Sequence, residues 1–263
     1  MSAQAFERVT LDHLTIEDAN AFKHVALFAE LKEVLLASGY RFRVPTAGRL
    51  PWDRAVFLNL AYWSDAEGGD VLVDRTIPAD VVMHVAWHHL ASARLERGED
   101  AELLGEAIAS AFDMYLVGRL LGHSAGSTFL ETQVPAMADA AHDAGLDEDA
   151  MERLLDDVAS DPDRAFEDLR ALLFETTREL TRAEDADAAL RVLERRRGHR
   201  FGALLHHYER ASWVANARAR RAMRKPEQGG ATASELHETL TKASSSVEWL
   251  RENWVARGVD RGE

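Results

Sequence analysis

Two histidines four residues apart, His84 and His88, lie in the run Asp80-Val-Val-Met-His84-Val-Ala-Trp-His88-His89-Leu-Ala. On a helix, positions i and i+4 stand one above the other on one face. Two imidazoles so placed can bind one metal ion without distorting the helix. At about 100° per residue Val81, Ala91 and Leu95 share that face, so the pair is expected to point toward a core, with His89 well round the helix from it. Eighteen residues after His88 comes Glu106, in the segment Leu103-Leu-Gly-Glu106-Ala-Ile-Ala-Ser110-Ala-Phe-Asp113-Met-Tyr115. That segment is apolar almost all round, as a buried helix should be, and Glu106, Ser110 and Asp113 form one stripe along it. A carboxylate buried there is costly unless it is paired, hydrogen-bonded or on a metal. A metal held by two histidines would satisfy it. The same residues also fit a metal-free arrangement, in which His84 and His88 bond Glu106 and Asp113 directly.

Composition narrows the chemistry further. The chain has 263 residues, 46% hydrophobic and 29% charged, which suits a globular protein with one large domain or two small ones. It has no cysteine, so a disulfide framework, a thiolate metal site and a cysteine nucleophile are all excluded. Eleven histidines leave metal binding through His, Asp and Glu open. The formal charge of -14 argues against a surface that tracks phosphates throughout, and nucleic acid is therefore disfavoured as a partner. No Walker loop, Gly-x-Gly-x-x-Gly or Gly-x-Ser-x-Gly occurs, which disfavours P-loop, dinucleotide and hydrolase-elbow chemistry. Met1 to Asp18 lacks a basic stretch followed by an apolar core, and no run of about 18 uncharged apolar residues exists. A cytoplasmic protein without a membrane partner is the expectation.

The elements that must position these side chains read as mainly helical. Helical spacing of Phe22, Val25, Phe28, Leu31, Val34 and Leu35 predicts a helix from Thr15, with Asp18 in a capping box, to Ser38, with Gly39 as its stop. Tyr40 to Val44 is extended. Alternation over Val56 to Tyr62, the Gly68-Gly69 turn and Val71 to Val73 predict a small antiparallel hairpin. Helices are then predicted over Pro78 to Arg97, Asp100 to Leu121, Thr128 towards Ala144 (with a kink or restart at Pro135), Asp147 to Val158, Pro162 to Arg182 and Asp185 to Met223. Pro226, Gly229 and Gly230 mark a linker, and a last amphipathic helix is predicted over Ala233 to Val255, carrying Trp249 and Trp254. Residues 1–225 thus read as a single mainly helical domain, and 226–263 as linker and C-terminal helix. That helix is expected to dock on the body, a homodimer contact being the alternative. Charge is blocked: residues 139–187 hold 17 acidic and 5 basic residues, a balance of −12, and 191–225 hold 11 basic and 2 acidic, a balance of +9. Such neighbours are expected to pack antiparallel and neutralise each other. His206 and His207, in the basic block, read as a solvated helix face.

A hairpin, a helix with His84-Val-Ala-Trp-His88, and a second helix with Gly105-Glu-Ala-Ile-Ala-Ser110 resemble the core of gluzincin-type zinc metallopeptidases. The likeness covers about Val56 to Leu121, a quarter of the chain. It implies a zincin-like α+β core followed by a helical part, with zinc on His84, His88 and Glu106 and with Asp113 or Ser110 orienting a ligand from behind. It also carries a departure. Where the family has the Glu that activates metal-bound water, this chain has Val85, and a missing general base costs about 10²–10⁴-fold in rate. Asp80, one turn before His84, fits that role poorly. The resemblance therefore implies a non-catalytic homologue that keeps the site and acts as a regulatory scaffold for a protein or peptide partner. An active zinc-dependent peptidase or hydrolase with an unusual base is the first alternative. An unrelated helical interaction protein with a buried His/carboxylate cluster is the second.

Overall fold

In the computed structural model, which describes residues 6–46, 70–124, 126–208, 210–221 and 232–259, the chain is mainly α, as expected, and it carries a small antiparallel two-stranded sheet. The sheet pairs β1 (Phe6–Thr10) with β3 (Arg41–Pro45), with Val9 opposite Phe42 and Glu7 opposite Val44. The predicted strand Val56 to Tyr62 and the Gly68-Gly69 turn lie outside the described residues. Val71 does not extend into a strand: it forms an isolated parallel bridge with Arg43.

Thr15 opens a strand, not a helix, which corrects the sequence expectation. β2 (Thr15–Glu17) runs parallel to β4 (Thr76–Pro78), with Ile16 opposite Ile77, and Thr15 N donates to the Arg75 carbonyl at 3.0 Å. Asp18 then turns the chain at a φ of +58°, and helix α1 (Ala26–Ala37) starts only after further turns. Phe22 and Val25, the first residues of the helical spacing, reach full burial from those turns. Helical spacing records which side chains are buried, and a succession of turns can bury the same set. At the other end Gly39, with φ +62°, supplies the expected stop.

β4 leads directly into α2 (Ala79–Arg94) and so sets where that helix begins. The chain divides into two compact units, residues 1–86 with 255–263, and residues 87–254; the division falls inside α2. The first contains both strand pairs and α1. The second is built on α3 (Glu99–Leu120), which is buried on nearly every side, with α4 (Thr128–Asp143), α5 (Glu148–Ser160), α6 (Pro162–Arg182), α7 (Ala186–Arg196), α8 (Arg210–Arg221), α9 (Ala233–Lys242) and α10 (Ser246–Leu250). α6 packs along α3, and Phe112 meets Phe166 edge-on with ring centres 6.2 Å apart. α6 has the predicted bounds because Asp161 caps it and Pro162 fills its first turn. α4 runs through Pro135 unbroken, and its cap is Ser127. Among the described residues no helix is long and apolar enough to cross a membrane.

Two long helices of the sequence reading are each interrupted. The span Asp185 to Met223 breaks between α7 and α8 into turns and a short 3₁₀ segment, Gly202–His206. The chain folds back so tightly there that a methyl group on Gly202 would collide with the Arg196 carbonyl. His206 is exposed on that 3₁₀ segment, not on a helix face. The last helix breaks at Ala243–Ser245, where Ser245 caps α10 and also donates to Asp163 Oδ2 at 2.7 Å. Beyond α10 the chain continues as a π-turn, Arg251–Val255, and a short helix, Ala256–Val259. The linker at Pro226 to Gly230 lies outside the described residues.

The opposed charge blocks do neutralise each other. Arg195 and Arg196 reach Glu179 at 2.5 Å each, Arg196 also meets Glu175 at 3.2 Å, and Arg200 meets Asp168 at 2.9 Å. Arg218 donates to the last carbonyls of α6, Leu180, Thr181 and Ala183, where a cation complements the helix dipole.

Close packing makes Gly118 a sensitive position. A methyl group there would lie 2.5 Å from the Val158 carbonyl oxygen and 3.1 Å from Pro162, both on or next to backbone that cannot give. Gly118→Ala is expected to lower stability by about 1–3 kcal/mol, read as the urea midpoint. Gly126→Ala, where an added methyl meets nothing within 4 Å, should stay within about 0.5 kcal/mol.

Candidate metal centre

His84 and His88 are both half-buried on α2, with Val85, Ala86 and Trp87 buried between them. Trp87 packs edge-on against Phe112 of α3 at 5.2 Å between ring centres. One turn beyond His88, Ala91 faces Gly105, where a methyl group would sit only 3.4 Å from the Ala91 side chain. The small pair brings the backbones of α2 and α3 together, and Glu106 is the next residue on α3. His84, His88 and Glu106 consequently converge: one ligand atom from each lies within 4.8 Å of the other two. His88 Nε2 stands 3.5 Å from Glu106 Oε2. That separation exceeds the about 2.7–2.9 Å of a charge-assisted hydrogen bond. It is close to the ~3.3 Å between two ligands of one tetrahedral ion whose bonds are ~2.0–2.1 Å.

Exposure differs across the group. The Glu106 side chain is 9% exposed and that of His88 35% exposed, so the carboxylate is sunk in the protein and the imidazoles reach its edge. A two-histidine, one-carboxylate set of this kind suits zinc and other divalent transition ions.

Ser110 is buried one turn after Glu106. Asp113 is half-buried, and its charge acts on His207 and Tyr208, favouring their protonated forms. Asp80 and His89 are half-buried on α2 outside the converging group.

Asp70 is not singled out by any pattern in the sequence. Its carboxylate accepts a hydrogen bond from the Tyr40 hydroxyl at 3.0 Å and lies in the field of His84. Burial pushes the Asp70 carboxyl above the usual range, while Tyr40 and then His84 act to lower it. Its place after Gly68-Gly69 reads as a turn, and the structure has it half-buried.

Burial also holds His89, His199, His207 and His237 below the ordinary imidazole range. The folded chain therefore resists protonating these four rings, whereas the unfolded chain takes up protons near pH 6.5. Their contribution is complete above that pH and is lost as the pH falls from about 6.5 through the lowered folded values. Metal-free protein should show a lower urea midpoint at pH 5.5 than at pH 7.5; an equal or higher midpoint at pH 5.5 would contradict this. Comparisons with protein-family models, with curated proteins and with solved structures find no match to this chain.

Proposed function

We propose that the protein is a zincin-like metal-binding protein that holds a divalent transition ion, zinc first, on His84, His88 and Glu106. In this reading it is a non-catalytic relative of the zinc peptidases, acting as a scaffold for a protein or peptide partner. The observation that carries the metal is the convergence of three ligand atoms within 4.8 Å from two helices. The argument against peptidase chemistry is Val85, an apolar side chain only 6% exposed, at the position where the base would stand. Zinc in such a centre supplies Lewis acidity and an acidified water. The chain's own part is to present two neutral imidazoles and one carboxylate, and no carboxylate follows His84 to take a proton from that water.

The partial exposure of His88 favours a second reading, a working zinc-dependent peptidase or hydrolase, because catalytic zinc sites keep one position open to solvent. One experiment separates the two. Protein prepared with zinc present is expected to retain about one equivalent after gel filtration, and the His84→Ala and Glu106→Gln variants far less. A wild-type content below about a tenth of an equivalent overturns the metal reading. Zinc-loaded wild type is expected not to hydrolyse a generic peptide library; turnover that disappears in Glu106→Gln would establish the hydrolase instead.

A further inference from the structure

We propose that the groove between α7 and α8 binds a small amphipathic carboxylate, a fatty acid by chemical class, with its head on the Arg210 guanidinium and its tail along the apolar walls. The site uses none of the metal ligands and stands without them. Two arginines are buried among the described residues, Arg170 and Arg210, and they differ in what meets their charge. Arg170 holds the Glu167 carboxylate. Arg210, 7% exposed, pairs with no carboxylate among the described residues. Its Nε donates to the Leu205 carbonyl, and among those residues Nη1 and Nη2 find no acceptor. Arginine cannot shed its proton in a protein, so the charge stays. A buried cation compensated by one carbonyl is costly. An anion seated beside it removes that cost.

Arg210 lines that groove, whose volume is about 710 Å³, within the ~300–1,000 Å³ of small-molecule sites. Leu180 near the end of α6, Ala189 and Leu193 of α7, and Val214 and Ala215 of α8 make its walls apolar. Walls of this kind take a hydrocarbon tail out of water. The polar lining narrows the choice of head. Arg218 already donates to the carbonyls of Leu180, Thr181 and Ala183, and Asp185 accepts from Ala188 N at 2.7 Å as the cap of α7. Arg210 is thus the cation left for a ligand. Glu184 and Asp185 border the same groove, and their charges repel a doubly charged phosphate more than a singly charged group. A carboxylate carries one charge, and its two oxygens match the two Nη ends of a guanidinium.

The test titrates the full-length protein calorimetrically with sodium octanoate, below its micelle concentration, and with 1-octanol, which has the same tail and no charge. Wild type is expected to bind one equivalent of octanoate with a Kd of about 1 mM or lower, and 1-octanol at least about tenfold more weakly. Arg210→Gln should weaken octanoate by about 10–100-fold, the loss of a charged hydrogen-bonded pair, and leave 1-octanol where it was. Ala189→Trp fills the groove while keeping the guanidinium, and should abolish binding of both. The proposal is overturned by a wild type that does not bind octanoate, by equal affinity for acid and alcohol, or by octanoate binding that survives Ala189→Trp. Affinity in Arg210→Gln within about twofold of wild type overturns it as well. If Arg210→Gln does not fold, the alcohol comparison and Ala189→Trp decide. A wild-type dimer that Ala189→Trp dissociates would put a second copy of the chain in the groove and overturn the fatty-acid reading.

Discussion

Glu167→Ala is expected to destabilise the chain by about 3–5 kcal/mol, the loss that follows when a buried charge is stripped of its partner. Arg170 is fully buried, and its Nε and Nη2 donate to the Glu167 carboxylate at 2.8 and 2.5 Å. Its other contacts are neutral: Nη1 donates to His237 Nδ1 at 3.1 Å, and Nη2 reaches the Thr241 hydroxyl at 3.4 Å. Because arginine only donates, His237 carries its proton on Nε2, on the side of Glu175, 3.7 Å away. Ser246 also donates to Glu167, at 2.6 Å. Glu167 thus ties α10 to α6 directly, and α9 through Arg170. The variant's loss should be read as a lower urea midpoint together with faster amide exchange over 233–250. Glu179→Ala removes a carboxylate whose partners Arg195 and Arg196 are 58% and 22% exposed, Arg196 keeping Glu175, and solvent screening should limit that cost to about 1 kcal/mol or less. Equal effects of the two variants would show that the buried guanidinium finds other partners. A Glu167→Leu, Arg170→Met double variant should recover much of the loss, since replacing a whole buried pair by apolar groups is often neutral.

Zinc at a hundredfold excess over its dissociation constant should stabilise the wild type by about 2.7 kcal/mol, because an ion that binds only the folded chain shifts the equilibrium by mass action. For a chain of this size that corresponds to a thermal midpoint raised by about 5–10 °C. His84→Ala, His88→Ala and Glu106→Gln should each abolish the rise, since no two of the three ligands span a closed site. Glu106→Gln is the informative one. Glutamine keeps the volume of a side chain 9% exposed while removing the charge, so the metal-free protein should be no less stable than wild type and the zinc response should vanish. A zinc-induced rise that survives all three substitutions would place the ion elsewhere.

The candidate metal ligands were legible because the signals behind them are local. Two histidines four apart need only a helix to share a face, and α2 forms from its own apolar pattern after Pro78. Glu106 stood out because a carboxylate in an apolar helix is anomalous wherever that helix packs. The bounds of α6 were legible for the same reason, as its cap and first-turn proline are adjacent residues. Asp70 and Tyr40 were not legible. They lie 30 residues apart and meet only because residues 70–72 fold back onto β3, a pairing that hydrogen bonds and burial select and no short-range pattern encodes. The strand at Thr15 and the breaks at Gly202 and Ser245 are illegible for a related reason. Periodicity reports burial, and turns that carry the right side chains inward satisfy it as well as a helix does.

Residue type and short spacing are enough to set the secondary-structure class, the absence of thiol chemistry, the candidate ligand types, the apolar Val85 after His84 and the opposed charge blocks. Folding alone brings three candidate ligand atoms together, sets the approach of their helices at the small pair Ala91 and Gly105, and seats the half-buried Asp70 carboxylate on the Tyr40 hydroxyl. Those depend on contacts between segments far apart in the chain. Close packing and the need to satisfy buried polar groups determine them, and both act only once the chain has folded.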